Sequence, residues 1–168
     1  FYGSTYDNPG YGGAIIKGDG DYFYLTKGNS SNNFVRYNKT TGEVINLTSL
    51  PSGVTMGQNI VYNSANNKIY YISNYWQKFF VYDVATNTWS EDDAPLAFAN
   101  QYGSTLTFDG SRYIYWTRGG SSSFYRFDYL ADSGSRWSTM ANIPAAGNSA
   151  SLVYKDGYIY AIRGDATL

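Results

Sequence analysis

The feature that most constrains the fold of this chain is an internal repeat of about 45 residues. Four tyrosines mark the repeat at spacings of 46, 45 and 45 residues: Tyr24, Tyr70, Tyr115 and Tyr160. Three phenylalanines at spacings of 45 residues form a second anchor: Phe34, Phe79 and Phe124. A period of this length predicts one supersecondary unit that is repeated and stacked, so that neighbouring units bury each other's apolar faces.

Each unit reads as four short β-strands. A tight turn such as Asp109-Gly110 or Asp156-Gly157 follows the first strand, because glycine readily adopts the positive φ that such turns need. The second strand carries the tyrosine anchor, the third carries the phenylalanine anchor, and the short fourth strand is centred on Val44, Trp89 or Trp137. No segment shows a sustained helical period. The sequence therefore predicts an all-β chain of four-stranded antiparallel meanders.

The motifs in these units resemble those of a kelch-type β-propeller, of the kind that forms the central domain of galactose oxidase. They are "IY" followed by "RG" or "RGG" at the end of strand two, "F..YD" or "F.RFD" on strand three, and "T.TW" on strand four. The clearest copy spans residues 66–95, with Ser73-Asn74 in place of the double glycine. The resemblance implies a ring of four-stranded antiparallel blades, and it is specific for the fold rather than for an activity.

The repeat predicts one domain over residues 1–168. Three complete units span about 9–51, 52–95 and 96–144, and a partial fourth unit spans 145–168. One period after Phe124 falls just beyond Leu168, and "FYGSTYD" at the start resembles "FYRFDYL", so residues 1–8 are a candidate for the missing third strand of the last blade. Three architectures remain open: a closed four-blade ring, two chains joined head to tail in an eight-blade ring, and an excerpt of a longer propeller.

Composition argues against several classes of function. The 12 basic and 13 acidic residues provide no basic excess for nucleic-acid binding, and no apolar run has the length of a transmembrane helix. The chain has no histidine and no cysteine, so the copper site of galactose oxidase, which needs both, cannot form. We predict no catalytic residues, no metal and no cofactor.

Two groups of residues are candidates for binding. Three cations lie at equivalent ends of strand two and could hold a carboxylate or sulfate at one mouth of a propeller, or could pair with neighbouring blades: Lys27, Arg118 and Arg163. Three aromatic residues are candidate contacts for a sugar or a protein, with packing against the next blade as the alternative: Tyr75, Trp76 and Trp116.

Several acidic residues have structural interpretations. Asp83 and Asp128 follow strand three, where an Asx turn into strand four explains them, and Asn38 occupies the same place. "GDGD" at 18–21 is predicted to be a hairpin turn rather than a calcium site, and "EDD" at 91–93 a solvated turn.

The leading functional hypothesis is a non-catalytic propeller at the cell surface or outside the cell, because the surface is rich in Tyr, Asn and Gly and poor in charge. Its expected role is a scaffold for protein interaction or for self-association by strand completion. A partial ring would leave an open edge and an exposed apolar face, which favours assembly. The alternative is a carbohydrate-binding propeller, and a less favoured one is an accessory domain of a larger secreted enzyme.

Overall fold

The computed structural model describes residues 13–29, 31–51, 59–73, 77–94, 104–143 and 151–162. Every helix or strand assigned in these ranges is a β-strand, so the all-β prediction is confirmed. This part of the chain contains no helix long and apolar enough to cross a membrane.

Three four-stranded antiparallel sheets follow one another, each with its strands in chain order, as the repeat predicts. Sheet 1 consists of β1 (Ala14–Lys17), β2 (Tyr22–Thr26), β3 (Phe34–Asn38) and β4 (Val44–Asn46). Sheet 2 consists of β5 (Asn59–Asn63), β6 (Lys68–Ser73), β7 (Lys78–Asp83) and β8 (Thr88–Asp92). Sheet 3 consists of β9 (Thr105–Phe108), β10 (Tyr113–Thr117), β11 (Phe124–Asp128) and β12 (Trp137–Thr139). Sheet 4, as far as the structure describes it, consists of β13 (Ser151–Lys155) and β14 (Tyr158–Ile162).

The strand register shows that the sequence repeat is also a structural repeat. In each sheet the anchor tyrosine of the second strand lies opposite the corresponding residue of the first strand: Ile16–Tyr24, Val61–Tyr70, Thr107–Tyr115 and Val153–Tyr160. Residues one period apart therefore occupy the same position in successive sheets, and their surroundings can be compared directly.

Tight turns join the strands where the sequence predicts them. The "GDGD" segment forms the hairpin between β1 and β2, with the Gly18 N–H donating to the Tyr22 carbonyl at 2.9 Å and Gly20 at a φ of 51°. Gly18 leaves room for the buried Tyr24, because a Cβ at position 18 would lie 2.4 Å from the tyrosine ring. The hairpin interpretation of this segment is confirmed.

The sheets stack face to face, and their first strands contact one another. β1 packs on β5, β5 packs on β9, and β9 packs on β13, whereas no comparable packing of β13 on β1 occurs among the described strands. We call the surface that a sheet turns toward the following sheet its forward face, and the opposite surface its back face. In the described ranges the four sheets thus form an open arc.

Two aromatic cores fill the junctions. Between sheets 1 and 2 the core includes Tyr24, Phe34 and Tyr82, and between sheets 2 and 3 it includes Tyr70 and Phe79. Burial raises the pKa of Tyr24, Tyr70 and Tyr82 to about 12, so these phenols are neutral at physiological pH.

Candidate functional site

A hydrogen bond between neighbouring sheets recurs at the fourth strands. The indole Nε1 of Trp89 donates to the Thr48 carbonyl of sheet 1 at 3.0 Å, and that of Trp137 donates to the Asp93 carbonyl of sheet 2 at 2.7 Å. Both indoles also pack against the cores between the sheets. The two tryptophans thus pack between neighbouring sheets, and Val44 holds the equivalent position in sheet 1.

The acidic "EDD" segment does not form a solvated turn as predicted. Glu91 and Asp92 belong to β8, and the Asp92 carboxylate pairs with Arg136 of sheet 3 at 2.5 Å in a largely buried position. The Asp93 carboxylate accepts hydrogen bonds from Ser133 at 2.7 Å and from the Gly134 N–H at 2.5 Å. This segment therefore connects sheets 2 and 3, and its partners lie in the insertion before Trp137.

The forward face of sheet 4 is exposed, although it carries the same apolar residue types as the buried forward face of sheet 2. It presents Val153, Tyr160 and Ile162, whose equivalents in sheet 2 are the same three residue types: Val61, Tyr70 and Ile72. The sheet 2 residues are 9%, 3% and 1% exposed, whereas those of sheet 4 are 54%, 52% and 68% exposed. We call these three residues of sheet 4 the open forward face.

The back face of sheet 1 is the other end of the arc. Its first strand presents Ile15, which is 61% exposed, whereas the equivalent Ile60 of sheet 2 is 6% exposed. Val44 of β4 is also exposed. Both ends of the arc thus carry exposed apolar side chains, although Val35, which lies on the same back face as Ile15, is 2% exposed. None of the exposed residues was predicted to form a contact. The signal was available, since the Val, Tyr and Ile of sheet 2 recur in sheet 4.

The predicted cation positions lie at the ends of second strands. The backbone N–H groups of Lys27 and Arg118 close the loops into strand three, donating to Asn33 at 3.4 Å and to Ser123 at 3.3 Å. Within the described ranges neither side chain forms an ion pair. Ser73, at this position in the intervening sheet, is buried. Arg163 lies outside the described residues, and a role in anion binding stays a prediction.

The predicted aromatic contacts have two different outcomes. Trp116 is 0% exposed, stacked on Tyr125 with ring centroids 5.0 Å apart and edge-on to Trp137, so its prediction as a surface contact is wrong. It lies on the back face of sheet 3, packed into the junction with sheet 2. Tyr75 and Trp76 lie outside the described residues, and their role in binding a glycan stays a prediction.

The turn interpretation of the residues after strand three is confirmed. Asn38 Oδ1 accepts hydrogen bonds from the backbone N–H groups of the following turn at 2.9 and 3.1 Å, and Asp83 Oδ1 does so at 2.9 and 3.2 Å. Asp128 Oδ1 accepts one from Leu130 at 3.1 Å. Asp128 also binds Arg112 through both carboxylate oxygens, at 2.9 and 2.6 Å.

The hydrogen bonds to Asp83 and Asp128 stabilise the charged form of both carboxylates. The Arg112 side chain, with smaller help from the Leu130 N–H, lowers the pKa of Asp128, and backbone N–H groups, led by that of Thr86, lower the pKa of Asp83. The part of the chain that the structure describes contains no group of three or more His, Cys, Asp or Glu that could hold a metal ion. Asp83 and Asp128 thus serve turns, and Asp92 and Asp93 serve contacts between sheets.

We expect Asp128→Asn to reduce the loss of stability in acid. The folded-state pKa of Asp128 lies below its usual value of 3.8, so its contribution is present above that value and is lost as the pH falls through the folded-state pKa. Asparagine keeps the Asx turn, as Asn38 does in sheet 1, but it cannot titrate. Urea unfolding between pH 7 and pH 2 should give a shallower pH dependence below 3.8 for the variant, and an unchanged dependence would contradict this assignment.

Comparison with known proteins identifies the type of fold. No protein-family model and no curated protein matches the sequence. Solved structures do match, and one of them, titled "Streptogramin B lyase structure", aligns with a TM-score of 0.60 at 16% identity. The alignment covers 89% of this chain and 46% of that one, so this chain spans about half the length of the lyase structure.

The lyase is a β-propeller, and this chain has the same fold of stacked antiparallel sheets. At 16% identity the similarity shows the fold alone. The predicted β-propeller architecture is thereby confirmed.

Proposed function

We propose that this chain is a non-catalytic, extracellular β-propeller of the kelch type that serves as a scaffold for protein interaction and self-assembly. The kelch assignment is supported by the positions of its motifs, because the "IY" pairs lie on second strands and Trp89 and Trp137 on fourth strands. The extracellular assignment is supported by the composition, with 19 tyrosines and only 15% charged residues.

The observation that carries the scaffold function is the open forward face. Val153, Tyr160 and Ile162 are the same residue types, at the same positions, that sheet 2 packs on sheet 3, yet each is more than half exposed. Such a contiguous exposed apolar face indicates an interaction surface.

The outer edge of sheet 4 supports the same function. β2, β6 and β10 each pair with a third strand, whereas among the described strands β14 pairs only with β13. An unpaired strand edge can accept a strand from a partner through main-chain hydrogen bonds. Strand completion at this edge is therefore part of the proposed self-association.

The roles of the described acids support a scaffold rather than an enzyme. Asp83 and Asp128 hold turns, and Asp92 and Asp93 hold neighbouring sheets together. A glycosidase would need one carboxyl group with a raised pKa beside a second carboxylate. The shifts resolved for the described aspartates are all downward: Asp21, Asp83, Asp93 and Asp128.

Sedimentation equilibrium of the chain and two variants tests the proposal. We expect the unmodified chain and Leu130→Asp to associate with rising concentration, because Leu130 is exposed in a turn away from both ends of the arc. Ile162→Asp should sediment as an 18.7 kDa monomer, since the new charge would have to be buried in the contact. A monomeric unmodified chain, or an Ile162→Asp variant that associates normally, would refute self-assembly through this face.

A further inference from the structure

We propose that Arg36 and Arg126 form two oxyanion-binding sites, each of which takes a carboxylate or sulfate group of a small ligand. Both arginines lie on third strands, directly opposite an anchor tyrosine: Arg36 opposite Tyr24 and Arg126 opposite Tyr115. We call them the strand-three arginines. They are different residues from the cations predicted at the ends of second strands, and neither belongs to the open forward face, so the inference does not depend on self-assembly.

The two strand-three arginines have the same aromatic contact. The guanidinium carbon of Arg36 lies 4.4 Å from the ring centroid of Tyr22, and that of Arg126 lies 4.4 Å from the ring centroid of Tyr113. Each of these tyrosines is two residues before the anchor tyrosine, so strand alternation places it on the same forward face as the arginine. Contact with an aromatic face stabilises a guanidinium without using any of its N–H donors.

Neither strand-three arginine has a carboxylate partner among the described residues. The Nε of each is buried and has no hydrogen-bond partner in this part of the chain, while both side chains as a whole are partly exposed. A guanidinium has five N–H donors and no acceptor, and a charge that is partly removed from water is stabilised by a group of opposite charge. Arg36 and Arg126 therefore favour an anionic acceptor.

The junction of sheets 2 and 3 shows how this chain neutralises an arginine between two sheets. Val81 takes the place of the strand-three arginine opposite Tyr70, and the cation whose charge acts on Tyr70 is Arg136 of sheet 3. Arg136 pairs with Asp92 at 2.5 Å. We expect the carboxylate or sulfate of a ligand to do for Arg36 and Arg126 what Asp92 does for Arg136.

The phenols around Arg36 do not neutralise it. The guanidinium acts on the hydroxyls of Tyr24 and Tyr82, but burial has the larger effect and raises the pKa of both to about 12. Both phenols therefore stay protonated and uncharged at neutral pH, and the Tyr82 hydroxyl donates to Asn87 at 2.8 Å. The positive charge of Arg36 thus remains available to an anion.

The neighbouring acids also leave both arginines without a partner. Asp19, which acts on Tyr24, is exposed in the hairpin between β1 and β2 and forms no ion pair with Arg36. Near Arg126 the acid is Asp128, and Arg112 already binds its two carboxylate oxygens, at 2.9 and 2.6 Å. Asp19 is the described acid that a ligand at Arg36 would meet, so its removal should strengthen binding.

Proton–nitrogen NMR of the arginine side chains tests both sites. Sodium acetate and sodium sulfate are titrated, with sodium chloride at the same ionic strength as the reference. The Nε–Hε signals of Arg36 and Arg126 should shift and saturate, with a dissociation constant on the order of 1–10 mM for acetate, sulfate or both. The signals of Arg112 and Arg136 should stay in place, because their guanidinium groups are already paired with carboxylates.

Three variants separate a built site from a general effect of charge, with binding followed through the backbone amide signal of Tyr22. Arg36→Lys keeps the charge but loses the planar fork, so the dissociation constant should rise at least ~10-fold, whereas Asp19→Asn should lower it. Lys17→Gln is the matched control, since it removes an exposed cation from the same sheet and should change the constant by less than ~2-fold.

The outcomes are distinct from those of the self-assembly experiment. Parallel shifts of all four arginine signals, an equal response to chloride, or no saturable shift would overturn the two sites and leave the scaffold function untouched. Equal weakening by Arg36→Lys and Lys17→Gln would also overturn the site at Arg36. Circular dichroism of each variant, compared with the unmodified chain, would verify that the fold is retained.

Discussion

Phe79→Ala should lower the free energy of unfolding by about 3–5 kcal/mol, the largest stability effect that we expect from a single substitution. Phe79 is fully buried at the junction of sheets 2 and 3. Its ring centroid lies 5.6 Å from that of Tyr70, 4.8 Å from that of Phe127 and 5.2 Å from that of Trp137. Truncation would remove apolar contact to both sheets and leave a cavity that fixed rings on three sides cannot fill.

Urea unfolding monitored by tryptophan fluorescence measures this effect. Leu130→Ala is the control, since its side chain is mostly exposed and its removal should change stability by no more than ~0.5 kcal/mol. A loss below about 1 kcal/mol for Phe79→Ala would mean that the two sheets do not pack through this residue.

The second large effect is a difference between two identical substitutions at equivalent positions. Ile72→Ala should cost about 2–5 kcal/mol, whereas Ile162→Ala should cost ~1 kcal/mol or less in the monomer. Both isoleucines lie at the same place in strand two, opposite Asn59 and Ser151 respectively. Ile72 is buried by sheet 3, but Ile162 has no following sheet to cover it in the described structure.

The comparison requires dilute protein, at which the chain is monomeric. At concentrations that favour assembly, the cost of Ile162→Ala should rise, because its side chain then becomes buried against a partner. Equal costs for the two substitutions in the dilute monomer would show that sheet 4 is covered within the single chain, and the open arc would be wrong.

Much of the fold could be predicted from the sequence, because each sheet is formed by strands that are consecutive in the chain. Turn residues such as Gly20 and the glycine after Asp109 are dictated by backbone conformation, and the anchor tyrosines fall in one register in all four sheets. The fourth strands lie where Val44, Trp89 and Trp137 placed them. Each of these features depends on neighbours within about one repeat.

The errors come from contacts between repeats. Trp116 follows the anchor Tyr115, and strand alternation turns it to the opposite face of the sheet, where sheet 2 buries it. The 45-residue period places Trp116 on the second strand. The face to which its side chain points follows instead from the alternation of side chains along that strand. Asp92 and Asp93 find their partners near Arg136, in an insertion that departs from the repeat, so no periodic comparison could reveal the contact.

The candidate site was the least predictable part, because an apolar interaction surface differs from a core only in being exposed, and exposure depends on the arrangement of the sheets. The sequence predicts that a partial ring exposes an apolar face, but the residues of that face look like ordinary core residues. The recurrence of Val61, Tyr70 and Ile72 as Val153, Tyr160 and Ile162 indicates a packing face in the sequence, but only the exposure of the latter three shows that this face is uncovered.

The most direct test of the account is a crystal structure of the chain in its associated state. We predict that Val153, Tyr160 and Ile162 of each copy are buried in a contact with another copy. A structure in which these three side chains remain in contact with solvent, or are covered by a sheet of the same copy, would contradict it.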